Sequence, residues 1–317
     1  MTALRHALVF LAVAFAGALA CLTGQGAGTA GFGYALSLVA LTLLLWRGLS
    51  LAAAARLEGR FGRLLADLSV PLLFGLWLLF LWQAVTIGYG VPQVLLPSPG
   101  LIAARFAGSL DVLLADFRQT FLQAVLIGYA IGCGAGFLVA LLADRVPFLQ
   151  RGLLPLGNLA SALPIVGIAP IMVMWFGFDW PSKAAVVVIM TFFPMLVNTV
   201  AGLAAAGTAE RELLRTYAAG HGQTLLALRL PAALPFIFNA LKINSTLALI
   251  GAIVAEFFGT PIVGMGFRIS TEVGRMNLDM VWAEIVLAAI AGSAFYGTVA
   301  LAERRLTFWH PSYRQRH

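Results

Sequence analysis

Charge is what this 317-residue chain has least of: Asp, Glu, Lys and Arg make up 10% of it, against about 25% in a soluble domain. That excludes an ordinary water-soluble enzyme. Cysteine is nearly absent. Cys21 and Cys133 both fall inside apolar stretches, so neither a disulfide framework nor a metal cluster has enough ligands, and both read as buried thiols. The four histidines, His6, His221, His310 and His317, sit in polar segments without an H-E-x-x-H pair, which argues against an intramembrane metalloprotease. Lysine occurs twice, Lys183 after Ser182 and Lys242 after Leu241. A phosphate-cradling loop needs its lysine after glycine. The chain therefore cannot hydrolyse ATP by that route, and energy must come from another subunit or an ion gradient.

What is abundant is apolar sequence, 61% of the residues. A hydrocarbon core takes about 20 apolar residues per helix, and the runs between charges and Gly/Pro punctuation predict eight spans, near 6–23, 32–54, 69–89, 120–143, 153–176, 183–203, 233–258 and 282–303. The expected fold is an all-α integral membrane protein. The spans leave no room for a soluble catalytic domain of roughly 100 residues, so function must lie in the bundle or its loops. The net charge of +7 comes from 18 Arg and two Lys, and in this setting it reads as positive-inside bias and contact with a lipid bilayer, not with nucleic acid. With the N-terminus inside, fifteen basic residues fall inside and five (Arg105, Arg118, Lys183, Arg268, Arg275) outside. Both termini are thus expected in the cytoplasm. Arg5 and the run ending Ala18-Leu19-Ala20-Cys21 have the outline of a lipoprotein signal. However, Ala18 stands where a bulky aliphatic is usual and a second apolar run follows at once, so a retained hairpin fits better. The expected organisation is a hairpin over 1–55, a cytoplasmic linker over 56–68 carrying Arg56, Glu58, Arg60 and Arg63, a six-helix body over 69–310 and a tail over 311–317.

Several loops and spans carry further information. Val91 to Gly100 holds three prolines, which forbid a continued helix, and an amphipathic stretch through Ala104, Phe106, Leu110, Leu113 and Leu114 follows. Gly128, Gly132 and Gly136 recur every four residues and share one helix face, a packing seam for a close neighbour. The fifth span is interrupted by Pro155, Pro164 and Pro170; it either lines a path or is a kinked packing helix, because carbonyls freed in lipid need a neighbour or a water-filled cavity. The longest polar segment, 204–231, carries Glu210, Arg211, Glu212, Arg215, His221 and Arg229 with leucines at 213, 214, 225, 226, 228 and 230. That pattern predicts two short amphipathic helices with a turn at Gly220-His221-Gly222, ended by the break Leu230-Pro231-Ala232-Ala233-Leu234-Pro235. Its apolar face needs cover, and a partner's groove is a natural candidate.

At these residues the chain resembles the permease subunit of a binding-protein-dependent ABC importer, most closely the nitrate/sulfonate/taurine branch. The cytoplasmic motif of those permeases is Glu-Ala-Ala, three residues, glycine, nine residues, then aliphatic-x-Leu-Pro. Counting back from Leu230-Pro231 puts Glu212-Leu213-Leu214 on the triplet, Ala218 on the glycine and Leu228 on the aliphatic position. The glycine is missing at its expected place, and Gly220 and Gly222 lie close enough to form a shifted turn. Leu96-Pro97-Ser98-Pro99, Ala162-Leu163-Pro164 to Pro170, Trp175-Phe176-Gly177, Phe193-Pro194 with Asn198-Thr199, Ala255 to Gly259, Gly264-Met265-Gly266 and Glu303-Arg304-Arg305 agree in order and spacing from about 69 to 310. The resemblance implies a six-helix type I core in a bacterial inner membrane, with helices 6–54 outside it. It also implies a second permease copy or paralogue, two ATPase subunits that hold the ATP and Mg so that this chain binds no cofactor, and a periplasmic or lipid-anchored solute-binding protein.

On that footing the coupling loop comprises Glu212, Leu213, Leu214, Arg215, Ala218, Gly220, Gly222, Leu225, Leu228, Arg229, Leu230 and Pro231. Glu212, Arg215 and Arg229 are expected at the rim of the docking interface, with Leu213, Leu225 and Leu228 in its apolar groove. The candidate translocation path is Pro164, Pro170, Asn198, Asn244, Ser245 and Glu256. The rival is an ion-gradient-driven secondary transporter, which needs acidic or histidine relays in mid-membrane. Here Glu256, Glu284, Lys242 and a few neutral polar groups are all there is, and Glu256 is expected to lack a partner or to shape the start of a Gly-rich outer loop. An intramembrane enzyme is weaker still, since Ser161, Ser245 and Ser293 have no histidine near in sequence. The solutes implied are nitrate, sulfonates or taurine, aromatic acids, or pyrimidine and flavin vitamin precursors.

Overall fold

The computed structural model describes residues 9–18, 31–54, 60–146, 148–149, 151–153, 155, 157, 164–259 and 262–309, with the side chains of 52–54 and 60–68 excepted. The lipoprotein-like site at 19–21, the linker residues 55–59, Ala162-Leu163 and the tail from His310 lie outside them. Every regular element among the described residues is a helix. Apolar length accounts for this: Phe32–Leu51, Ser69–Gly88, Leu110–Arg145, Trp180–Ala204, His221–Glu256 and Leu278–Leu306 are each long and apolar enough to cross a membrane. Among the described residues these are six spans, where the sequence predicted eight. At the other two positions the described residues form shorter apolar helices, Val9–Ala18 and Ile165–Phe176. The second is held short by its ends. Pro164 is extended at φ −70° and ψ 120°, Gly177 turns left-handed at φ +83°, and twelve residues rise only about 18 Å.

The chain folds as two compact units. The first comprises α1 (Val9–Ala18), α2 (Phe32–Ala54), α3 (Arg60–Gly88) and α4 (Pro99–Gly108) together with Met276–Ala283. Ala14, Ala18, Leu41, Leu45, Leu49 and Trp77 form its core, and the Tyr34 hydroxyl donates to the Ala84 carbonyl at 3.0 Å. Arg60–Gly88 is one helix, so the described part of the expected linker, 60–68, runs into the third span.

The second unit holds α5 (Leu110–Phe117), a π-helical run Arg118–Val125, α6 (Leu126–Arg145), α7 (Ile165–Phe176), α8 (Trp180–Ala204), α9 (Thr208–Thr216), α10 (His221–Thr224), a π turn Leu225–Arg229, α11 (Leu230–Glu256), α12 (Met265–Gly274) and α13 (Leu278–Leu306) from Glu284 onward. Small residues let its backbones touch. A Cβ on Gly128 would sit 2.7 Å from the Ala184 carbonyl, on Gly132 2.8 Å from the Val188 carbonyl, and on Gly136 2.5 Å from the Phe192 carbonyl, so α6 lies directly on α8 along that seam. Gly202 brings α8 as close to Ala233 of α11. Helix runs unbroken from His221 to Glu256, although Leu230-Pro231 to Pro235 was expected to break it. The π turn stands where Pro231 cannot donate to the preceding turn, and its wider turn carries the helix past the missing bond.

Candidate functional site

The polar segment between α8 and α11 folds as two short helices joined by a tight turn. The turn falls at Tyr217–Ala219, not at Gly220-His221-Gly222. Ala218 is left-handed at φ +55°, its N–H donates to the Arg215 carbonyl at 2.9 Å, and the Ala219 N–H reaches Leu214 at 3.0 Å. These two bonds are the Schellman closure of a helix C-terminus, which favours glycine at the left-handed residue. Gly220 has φ −68° and caps α10 instead, its N–H donating to Gln223 Oε1 at 2.9 Å. Gly222 lies within α10. The position on which the resemblance puts the motif's glycine is therefore the turn itself, occupied here by alanine.

The outward face of the segment is apolar and charged. Leu226 is 68% exposed, Leu213 56% and Tyr217 76%, with Glu212 and Arg215 exposed beside them. Glu212, Arg215, His221, Asp144, Arg211 and Arg229 line a cavity of about 680 Å³. Two expected docking side chains turn inward. Leu225 packs with Leu230 against the core of Met195, Leu203, Ala233 and Ile237. Arg229 forks onto Asp144, Nη1 to Oδ2 at 2.7 Å and Nη2 to Oδ1 at 2.5 Å, which places it behind the surface rather than at its rim. Leu228 and Leu214 are half-buried, as is Pro231. The outward leucine of the second helix is Leu226.

The candidate path residues do not meet at one place. Asn244 is fully buried; its Nδ2 donates to the Thr191 carbonyl at 2.8 Å and to Cys133 Sγ at 3.2 Å, which ties α11 to α8 and α6. Ser245 is buried with its hydroxyl on the Lys242 carbonyl. Asn198 is half-buried on the Pro194 carbonyl, Pro164 begins α7 and Pro170 lies inside it. Glu256 sits at the other end of α11 and does have partners: it accepts from the Thr120 hydroxyl at 2.8 Å and the Gly266 N–H at 2.7 Å. Asp116 accepts from the Gly264 N–H at 2.6 Å and from Arg268 Nε at 2.8 Å. These bonds pin the loop between α11 and α12 onto α5 and the π-helical run. Lys183, 1% exposed, donates to the Phe178 and Gly259 carbonyls. In the adjoining turn Asp179 caps α8 through the Trp180 N–H; that bond, and before it the one from Gln119, hold its carboxyl below the usual carboxylate range.

Residues 132–308 match the family described as the binding-protein-dependent transport system inner membrane component. The chain belongs to this family. It is similar to the riboflavin transport system permease protein of Chloroflexus aurantiacus, 30% identical over 246 residues covering 77% of this chain and 91% of that one. It is also similar to the formylaminopyrimidine transport permease of Halalkalibacterium halodurans (32% over 239 residues, 75% and 95%) and the taurine transport system permease of Escherichia coli (24% over 239 residues, 74% and 86%). This permease is accordingly a multi-pass inner-membrane subunit of an ABC importer and not an enzyme. ATP hydrolysis belongs to a separate subunit of such systems, and a solute-binding protein serves them from outside.

Sequence reasoning singled out Glu256 and Glu284 but missed Asp116, Thr120 and Asp144. Each partner lies far along the chain, Asp144 85 residues from Arg229 and Asp116 152 from Arg268. The available signal was the rarity of acid itself: with thirteen Asp and Glu in 317 residues, a carboxylate next to an apolar span needs a stated partner.

Proposed function

We propose that this permease forms the translocation path of an ATP-driven importer that works by alternating access, and that its ATPase docks on the outward residues of Thr208–Arg229: Glu212, Leu213, Arg215, Tyr217 and Leu226. The observation that carries this reading is the exposed Leu213, Tyr217 and Leu226 surface on a charged helix–turn–helix, an apolar face that lacks cover in the isolated chain. Two permease copies or paralogues, two ATPase subunits and an external binding protein complete the machine. ATP and Mg reside on the ATPase and this chain binds no cofactor. The coupling segment faces the cytoplasm with both termini, and Pro164, Pro170, Asn198, Asn244, Ser245 and Glu256 belong to the helices that shift around the path. Closure of the ATPase pair moves the segment, and the helices it joins tilt to open the path to one side and then the other.

The solute we propose is a small heteroaromatic compound of the pyrimidine or flavin precursor class. The riboflavin and formylaminopyrimidine relatives support this. So does the engagement of both lysines, Lys183 with backbone carbonyls and Lys242 with Glu303 at 2.7 Å, which leaves neither free for an anionic solute. The test is purification of the tagged chain in mild detergent, with identification of bound partners, an ATPase assay and uptake of labelled riboflavin, formylaminopyrimidine and taurine. A co-purifying ATPase supports the reading, and Glu212→Arg should lower transport-linked hydrolysis about tenfold while the permease stays folded and inserted. A chain that purifies alone and shows gradient-driven uptake would overturn it in favour of a secondary carrier.

A further inference from the structure

Behind the docking surface the chain buries an ion pair that the surface itself does not use. Arg229 closes the π turn at the foot of α11 and spends three donors inward, two on Asp144 in the last turn of α6 and Nε on the Leu203 carbonyl at 3.1 Å. Arg211, from the other half of the segment, donates to the same Leu203 carbonyl at 3.3 Å and to that of Ala204 at 2.8 Å. These are end carbonyls of α8, which no intrahelical N–H satisfies and which carry the negative end of the helix dipole. Side-chain exposure is 15% for Arg229 and 9% for Asp144, so solvent screens the pair little. A bidentate guanidinium–carboxylate fork fixes orientation as well as distance, and a segment tied at two points to the ends of two helices cannot slide past them.

We propose that Arg229, Asp144 and Arg211 form a transmission joint: positioning residues that pass a displacement of Thr208–Arg229 to α6 and α8 without touching the ATPase themselves. This rests on the reading that the segment docks an ATPase. The joint predicts a division of labour within one loop. Outward residues such as Glu212 and Leu226 govern capture of the ATPase, while Arg229 and Asp144 govern what the captured ATPase moves.

The experiment uses the full chain co-purified with its ATPase, with a cysteine replacing Ile131 on α6, a residue 53% exposed beside the cavity lined by Met172 and Trp175. Three quantities are read: ATPase capture, basal hydrolysis, and the change in maleimide labelling rate on adding ATP and vanadate. Arg229→Asp and Asp144→Arg should each keep capture and basal hydrolysis within about twofold yet lose the labelling response, and the double swap Arg229→Asp/Asp144→Arg should recover most of it. Arg229→Lys keeps the charge and bulk but not the fork, and should reduce the response about threefold even if the reversals fail to insert. An intact response in the single variants or in Arg229→Lys overturns the joint. So does a loss that tracks loss of capture, or a wild type with ATPase bound whose labelling ignores ATP. A wild type that captures no ATPase strikes instead at the docking reading beneath it.

Discussion

Ala218 occupies a backbone state that an L side chain enters at a cost of about 1–2 kcal/mol and glycine enters freely. Both Schellman bonds are nonetheless made around it, so the cap is complete and strained. Ala218→Gly should therefore stabilise the purified chain by about 1 kcal/mol after the added freedom of the unfolded state is counted, read as a rise in thermal midpoint in detergent; a fall would mean the turn draws rigidity from the methyl. Glu284 poses the opposite problem. It is fully buried with no hydrogen-bond donor on either oxygen, whereas Asp116 is held by Arg268 and the Gly264 N–H. Glu284→Gln supplies an amide donor in the same shape and should leave the midpoint unchanged or higher. Asp116→Asn strips the partner from Arg268 and should cost about 2–3 kcal/mol. Equal losses in the two variants would refute this assignment.

At the scale of elements, the glycines of α6 show how much the sequence could say. Four-residue spacing marks one helix face, and the structure sets Val187, Thr191 and Met195 of α8 against it. The identity of that neighbour was not legible, because close packing needs only smallness and says nothing of what approaches. Gly132→Ala should cost about 1–3 kcal/mol, since its methyl meets the Val188 carbonyl and the Thr191 hydroxyl, and a backbone carbonyl has nowhere to go. Thr191→Ala in the same chain should restore only part, and full restoration would show that the hydroxyl alone sets the limit. Length was legible in most spans because apolar runs count themselves. It failed at Ile165–Phe176, where Pro164, which begins the helix, was read as an interruption within a longer one. It also failed at His221–Glu256, where two prolines read as a break lie within a continuous helix. Proline removes one donor, and whether the chain stops or widens its turn depends on neighbours that a local reading does not see.

For the molecule as a whole, the decisive quantity is the direction in which the bundle faces, because the proposed coupling segment on the wrong side would have no ATPase to meet. The charge distribution of the sequence sets fifteen basic residues against five across the expected bilayer, and the positive-inside bias assigns the larger set to the cytoplasm. The second unit offers a direct reading of this through one helix. Phe178 precedes α8 and is 66% exposed, Tyr217 follows it by way of α9, and the 25 residues of α8 rise about 37 Å, more than the roughly 30 Å of a hydrocarbon core. The two positions therefore lie on opposite sides of the membrane whatever the orientation. With Cys21 and Cys133 replaced by alanine, a cysteine at 178 should react with a membrane-impermeant maleimide once the outer envelope is opened, and one at 217 only after the inner membrane is breached. The reverse pattern would put Glu212, Leu213 and Leu226 outside. It would leave their exposed surface to the solute-binding protein and remove the ATPase from any role at that loop.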